Sequence, residues 1–378
     1  MSWFVNPAAR TWHAPPLELE SRSFHRALPG YVPTPLVELP SLAAELGVGR
    51  LLVKEEASRL GLPAFKILGA SFAVARLLTV RLGESGALAL DDLRERLDGS
   101  GLALAAATDG NHGRAVARVA ALLGLRSVIS VPVGVSTAAT KAISAEGATV
   151  QLLDMSYDDV VKHVAESADE QTLVVQDTSW PGYTDIPNWI VDGYDTMLAE
   201  VDDQLAELGA EPPDLVVVPA GVGSLAHAVV AHYRRDGHRP AVLVAEPETA
   251  ASVTAALGAG QVVSVPTGQT IMTGLNCGTV SEVAWPVLRD GLDASVAVTD
   301  TEARAAVLEL ADFGVDAGPC GAATLAAARG VLAIPERRAT LGVTEHAVAD
   351  DDVSGQRSAD GLVVILLSTE ARAANPKV

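Results

Sequence analysis

From residue 103 onward the chain alternates between two hydrophobic patterns. Short continuous apolar runs read as strands buried on both faces: ALAAAT (103–108), RSVISV (126–131), TVQLLD (149–154), TLVVQD (172–177), DLVVVPA (214–220), AVLVAE (241–246), SVAVTD (295–300) and LVVILLST (362–369). Between them lie segments with apolar residues at helical spacing: HGRAVARVAALLG (112–124), TAATKAISAEG (137–147), YDDVVKHVAESA (157–168), a long stretch around 187–208, SLAHAVVAHYRR (224–235), TEARAAVLELADFG (301–314) and GAATLAAARGVL (321–332). Buried strands alternating with amphipathic helices predict parallel βαβ units, with helices on both faces of the sheet. In such folds ligands sit at the carboxyl ends of the strands.

The flanking stretches are less regular. The first 35 residues are rich in Pro and aromatics and read as a surface wrap, and SLAAELGVG (41–49) as a helix ended by glycines. LLVKEEASRLGLP (51–63) reads as a strand and a loop closed by Pro63, and SFAVARLLTVRLG (71–83) as a helix. A charged stretch over 84–98 keeps helical spacing in LDDLRERL, and the polar segment 336–361 reads as a solvated loop.

Composition narrows the class. A chain of 378 residues, 49% hydrophobic and 20% charged, is globular and long enough for one large or two domains. Its net charge of −20 argues against nucleic acid and anionic membranes as partners, because nothing offsets phosphate repulsion. The two cysteines, Cys277 and Cys320, form no metal-ligand spacing, so no metal is expected and a reducing, cytoplasmic location is the default. The first residues carry no signal-peptide pattern, and no run is apolar enough to span a bilayer.

Four stretches could carry chemistry. In AFKILGA (64–70), Lys66 sits in an apolar, small-residue run at the expected start of a helix, a setting that makes an amine a usable nucleophile or base. Gly221, Val222, Gly223, Ser224 and Leu225 follow a strand and open a helix, where backbone N–H groups bind anions. The same turn fits G-x-G-x-x-A through Ala226, with Glu246 ending the next strand, so an NAD-dependent oxidoreductase is a rival reading. The turn Thr108-Asp109-Gly110-Asn111-His112-Gly113 offers short polar side chains between a strand and a helix, and Asp109 taken by itself reads first as a cap of that helix. Asp177 ends another strand, and the aromatics from Trp180 to Tyr194 suggest a wall beside it.

Together these stretches resemble the fold-type-II pyridoxal-phosphate enzymes, the group containing threonine dehydratase and cysteine synthase. Within it the chain is similar to the diaminopropionate ammonia-lyases, through ATDGNHGRAVA, TIMTGLNCG, a terminal LSTE and above all the run QDTSW…IPNWI…GY over 176–194. The resemblance implies a homodimer of α/β architecture with two open, mostly parallel sheets flanked by helices. Residues 1–72 and 190–378 would form a large cofactor-binding domain, and 73–189 a small one. It implies pyridoxal 5'-phosphate held by Lys66 as a Schiff base. Asn111 would bind the ring oxygen, and 221–225 the phosphate. The partner of the pyridine nitrogen falls to Ser368 or Thr369, with Cys320 as the other option. Lys66, Asp109 and Asp177 would be catalytic, with Thr108, Asp109, His112 and Asp177 around a small amino-acid substrate. The implied reaction is α,β-elimination of ammonia from 2,3-diaminopropionate. A serine/threonine dehydratase, a β-replacement enzyme and a PLP-binding protein without turnover are the alternatives. One departure bears on the substrate: Ala317-Gly318-Pro319-Cys320-Gly321-Ala322 stands where these lyases carry a Gly-Glu-Ser-Gly-Ala segment. A second is ETAAS after Pro247, which leaves Cys277 without a nearby cysteine partner.

Overall fold

The computed structural model describes residues 2–15, 20–108, 110–235, 237–344 and 361–372. Strand β1 (Trp3–Val5), helix α1 (Glu20–Arg26), strand β2 (Leu36–Glu38), helix α2 (Pro40–Leu46) and strand β3 (Arg50–Glu55) come first. Helices α3 (Lys66–Arg81) and α4 (Leu90–Arg96) follow. A strictly alternating block comes next: β4 (Ala103–Ala107), α5 (Asn111–Leu123), β5 (Arg126–Pro132), α6 (Thr137–Ala145), β6 (Thr149–Leu153), α7 (Tyr157–Glu166) and β7 (Thr172–Val174). Helix α8 (Asp185–Glu207) leads into β8 (Leu215–Pro219), α9 (Ser224–Tyr233), β9 (Ala241–Pro247), α10 (Ser252–Ala259), α11 (Trp285–Gly291) and β10 (Ala294–Val298). Helices α12 (Asp300–Asp312), α13 (Pro319–Leu332) and α14 (Pro335–Thr340) precede the last strand, β11 (Val363–Ser368).

The strands form two open sheets. One has the order β1-β10-β9-β8-β11-β3-β2, the other β6-β5-β4-β7. All pairings are parallel except those of β1 with β10 and of β2 with β3, at the two edges of the larger sheet. The α/β architecture expected from the alternation is therefore present. The surface wrap expected of the first 35 residues is partly wrong, since β1 lies on a sheet edge and α1 is a helix. The expected loop over 336–361 begins instead with α14, which Pro335 opens at its first turn. The remainder of that segment up to residue 360 lies mostly outside the described residues.

Period-two burial splits the large sheet cleanly. Leu215, Val217, Val364 and Leu366 face a core shared with α2, α12 and α13, whereas Val216, Val218, Val363, Ile365 and Leu367 face α8 and α9. Helix α3 serves both sheets. Leu68 and Ala73 join the core under the large sheet, and Ile67, Phe72, Val74 and Leu78 join the core under the small one.

The crossing of α3 and α8 is as tight as backbones allow. A Cβ on Gly69 would lie 2.8 Å from the Ile190 carbonyl oxygen, and one on Gly193 would lie 2.6 Å from that of Leu68. The segment between β3 and α3 is pinned by buried charges. Arg59 donates to Glu56 at 2.8 Å and to Glu200 of α8 at 2.7 Å, and Lys54 donates to Glu200 at 2.7 Å. Each buried ion is paired, as an apolar interior requires.

Candidate active site

A cavity of about 660 Å³ opens at the carboxyl ends of β4, β8 and β11. Its walls include Lys66, Thr108, Asn111, His112, Asp177 and Thr369, together with the whole run 221–225. The structure thus gathers onto one cavity most of the residues singled out from the sequence. Asp109 lies outside the described residues. Ser368 is fully buried and does not line the cavity; its hydroxyl has no hydrogen-bond partner and lies against Gly321, where a Cβ would come within 2.7 Å of it.

Lys66 is the first residue of α3. Its Nζ donates to Asp177 Oδ2 at 2.5 Å, and its ammonium lies 5.6 Å from the Phe65 ring centroid. Asp177 follows β7 on a segment that is held at several points. The Gln176 side-chain oxygen accepts from Ala107 N at 2.9 Å, and Tyr183 Oη accepts from Gln176 N at 2.8 Å while donating to the Val174 carbonyl at 3.0 Å. Burial alone would push the Asp177 carboxyl up. Positive charge on His112, which is protonated at the acid pH where Asp177 takes up its own proton, and on Lys66, with the hydrogen bond from Lys66, outweighs it and holds the group at about 2. His112 is itself pushed below its usual value, chiefly by burial. Its ring is therefore neutral at neutral pH, and the Lys66 ammonium is the standing counter-charge to Asp177.

On α5, His112 Nε2 donates to the Val175 carbonyl at 2.8 Å, which leaves Nδ1 as an acceptor without a hydrogen-bond partner, 3.8 Å from Asp177 Oδ2. Thr108 Oγ1 accepts from Gly110 N at 2.9 Å and from Gly113 N at 3.1 Å. Thr108 thus meets two backbone N–H groups at the start of α5, and the capping considered for Asp109 lies outside the described residues. Asn111 Nδ2 donates to Glu370 Oε2 at 2.9 Å. Glu370 is buried, which raises its carboxyl pKa, while Cys320, Asn111 and the charge of Lys66 pull it back.

Opposite, β8 ends in the turn that opens α9. Gly223 has φ +93°, a left-handed backbone that favours glycine. A Cβ on Gly221 would lie 3.0 Å from Cys277 Sγ and 3.1 Å from the Gly274 carbonyl oxygen. The first N–H groups of α9 have no partners within the helix and open onto the cavity, a cradle suited to a phosphate. Ser224 Oγ is already engaged, donating to the Asp177 carbonyl at 2.8 Å. Its hydroxyl ties the turn to the carboxylate segment. The anion cradle, the neighbouring lysine and the unpartnered His112 nitrogen together fit pyridoxal phosphate.

The dinucleotide reading fails on Glu246. That residue is fully buried and points away from the turn, accepting from Val253 N at 2.7 Å and from Thr254 N at 2.8 Å at the start of α10. It is not placed to meet a ribose. The aromatic wall is also not where the clustering suggested. Trp180 and Tyr183 stack on each other at 4.1 Å, Trp189 lies under Arg76, and Tyr194 is buried against Phe65. None of the four lines the cavity, whereas Tyr157 does. Neither cysteine is in a disulfide, and both line it as well. Glu370, Tyr157 and Gln176 went unnoticed in the sequence. Only a charge at the end of an apolar strand marked Glu370; nothing local marked the other two.

The sequence profile described as pyridoxal-phosphate dependent enzyme matches residues 27–343, and the chain belongs to that family, in its fold-type-II branch. It is 36% identical over 361 residues to diaminopropionate ammonia-lyase of Escherichia coli K12, covering 93% of this chain and 87% of that one. It is 37% identical over 294 residues to the enzyme of the same name from Salmonella typhimurium, covering 74% and 72%. The fold superimposes on the crystal structure of the Escherichia coli enzyme in complex with D-serine with a TM-score of 0.83 at 31% identity, covering 98% of this chain and 94% of that one. A further crystal structure of that enzyme, in complex with an aminoacrylate-PLP azomethine reaction intermediate, gives 0.80 at 30% identity, covering 98% and 94%.

Proposed function

We propose that this chain is a pyridoxal-phosphate-dependent carbon–nitrogen lyase that eliminates ammonia from 2,3-diaminopropionate, giving pyruvate and ammonia. The observation that carries the reading is the 2.5 Å contact between Lys66 Nζ and Asp177 Oδ2, facing the anion cradle of α9 across one cavity. When bound, the cofactor supplies the electron sink.

The side chains supply the rest. Lys66 is the group to anchor the cofactor and to take the α-proton. Asp177 holds the lysine and offers a negative charge to a substrate ammonium; serine and threonine carry no ammonium on their β-carbon. Asp109, placed by sequence between Thr108 and Gly110, is the second carboxyl we assign to the leaving amine. Asn111 is assigned to the cofactor's ring oxygen, Thr369 to the pyridine nitrogen, and the backbone of 221–225 to the phosphate. Residues 1–72 with 190–378, and residues 73–189, are the two domains we assign. A homodimer in the cytoplasm is the assembly and location that accord with the family; among the described residues no helix is long and apolar enough to cross a membrane.

A panel of 2,3-diaminopropionate, serine and threonine with purified enzyme, scoring ammonia and 2-oxo acid, tests the reading. Diaminopropionate should give much the highest kcat/KM, and Asp109→Asn should reduce that reaction roughly 10²-fold or more. Equal turnover of serine would point instead to a general dehydratase. Absence of turnover with PLP bound would point to a binding protein.

A further inference from the structure

Glu370 stands just beyond β11, on a backbone fixed from two sides. Its carbonyl accepts from Gly318 N at 2.7 Å, and the residue bridges to Ala64, two positions before Lys66. The side chain is buried and lines the cavity. Oε1 lies 3.4 Å from Cys320 N, and Oε2 accepts from Asn111 Nδ2 at 2.9 Å. Space for this carboxyl is made by Gly318, where a Cβ would sit 2.7 Å from Glu370 Cγ and 2.8 Å from Oε1. The carboxyl therefore has one place to be, and the asparagine must adapt to it.

A carboxamide has two edges of nearly equal shape and opposite chemistry. One offers two N–H donors, the other a carbonyl acceptor. Which edge faces the cavity decides whether Asn111 attracts or repels an electron-rich oxygen. A carboxylate acceptor beside Nδ2 settles the matter. One N–H of Asn111 is spent on Glu370, which keeps the amide from turning over and leaves the second N–H on the same nitrogen for a ligand.

We propose that Glu370 is a positioning residue: by accepting from Asn111 Nδ2 it locks the donor edge of that carboxamide toward the ring oxygen of the cofactor. This rests on the assignment of Asn111 to that oxygen made above. A group that donates to the ring oxygen biases where the cofactor's proton sits, and hence the balance between its long- and short-wavelength absorption bands. Glu370 would thus influence the electronic state of the cofactor through Asn111.

The test is a double-mutant cycle on the holoenzyme with Glu370→Gln, Glu370→Leu and Asn111→Ala, read by the ratio of the two bands, by the Kd for PLP and by kcat. Glu370→Leu should shift the band ratio toward that of Asn111→Ala and lower kcat roughly tenfold, the scale of one hydrogen bond to a charged group. Glu370→Gln can offer Asn111 either a donor or an acceptor, so it should shift the ratio in the same direction by less; it also serves if the leucine variant does not fold. Once Asn111 is alanine, replacing Glu370 should change neither the ratio nor the Kd further. Effects that add across the cycle, or single variants with the wild-type band ratio, would overturn the proposal. Failure of the underlying reading looks different: the unmodified protein would then bind no PLP, or would keep its visible bands in Lys66→Ala.

Discussion

Lys66 and Asp177 lie 111 positions apart in sequence, yet their charged atoms are 2.5 Å apart. One opens the helix that packs against both sheets, and the other follows the last strand of the small sheet. Each neutralises the other in a buried setting, so removing either leaves a charge without its partner. We expect Lys66→Ala to abolish turnover and the visible absorbance of bound cofactor while circular dichroism stays native. Retained activity and spectrum would refute the assignment.

Asp177→Asn removes the charge and keeps the shape. It should lower kcat for 2,3-diaminopropionate by roughly 10²-fold, the usual loss for a positioned acid or base, and change the Kd for PLP much less. Parallel titration of cofactor and steady-state kinetics separate the two effects. A variant as active as the parent would remove Asp177 from the mechanism.

The turn before α9 predicts a contrast between neighbours. Gly223→Val forces a branched side chain into a left-handed backbone and toward Leu288, 2.8 Å from where its Cβ would sit. PLP retention on gel filtration should fall sharply. Ser224→Ala leaves the backbone N–H groups intact and removes only the bond to the Asp177 carbonyl. It should hold PLP almost as well as the parent and lose roughly tenfold in kcat, the scale of one positioned hydrogen bond. The opposite order, with Ser224→Ala the poorer PLP binder, would assign the hydroxyl to the phosphate.

A pH effect is expected far from the cavity. His232 is bonded to Asp195 at 2.9 Å and to Asp202 at 2.8 Å. Burial alone would lower its pKa, but these two carboxylates outweigh it and raise the value from 6.5 to about 9. The imidazolium therefore binds its proton more tightly in the folded chain than in the unfolded one. Its contribution is complete below pH 6.5 and fades as pH rises through 9. On the order of 2 kcal/mol is at stake. Urea melts between pH 6 and 10 should show this decline in the parent and a flatter profile in His232→Gln.

The parts of the fold legible in the sequence are those with a strong local signal. LVVILLST and DLVVVPA are apolar enough to be strands only if buried on both faces, and β11 and β8 are both central. Strands β1 and β2 are three residues long and half-buried, too short to show a period, and only pairing at a sheet edge makes them strands. Helix α14 was hidden by its polarity, having no buried residue. In the site, Lys66 and the glycine turn stood out because their chemistry depends on local backbone and neighbours. Tyr157 and Gln176 did not: Tyr157 reaches the cavity only because helix α7 packs on strand β4, and Gln176 steadies the Asp177 segment only by accepting from Ala107 N, contacts between distant parts of the chain.

The large sheet has β11 in its interior, with β3 on one side and β8 on the other. During synthesis β11 leaves the ribosome after the ten other strands of the described residues. Strands β4 to β7, drawn from one continuous stretch, can pair as soon as they emerge. The large sheet cannot be completed, because β3 and β8 are joined only through residues 363–368, which lie between them. Until those residues emerge, two rows of unpaired backbone groups stay open on a mostly apolar surface, the condition under which partly made chains associate with one another. Thr369, just past β11, reaches the cavity only with that strand, so a chain halted shortly before it would present a finished small sheet and a cavity open along the side that β11 closes.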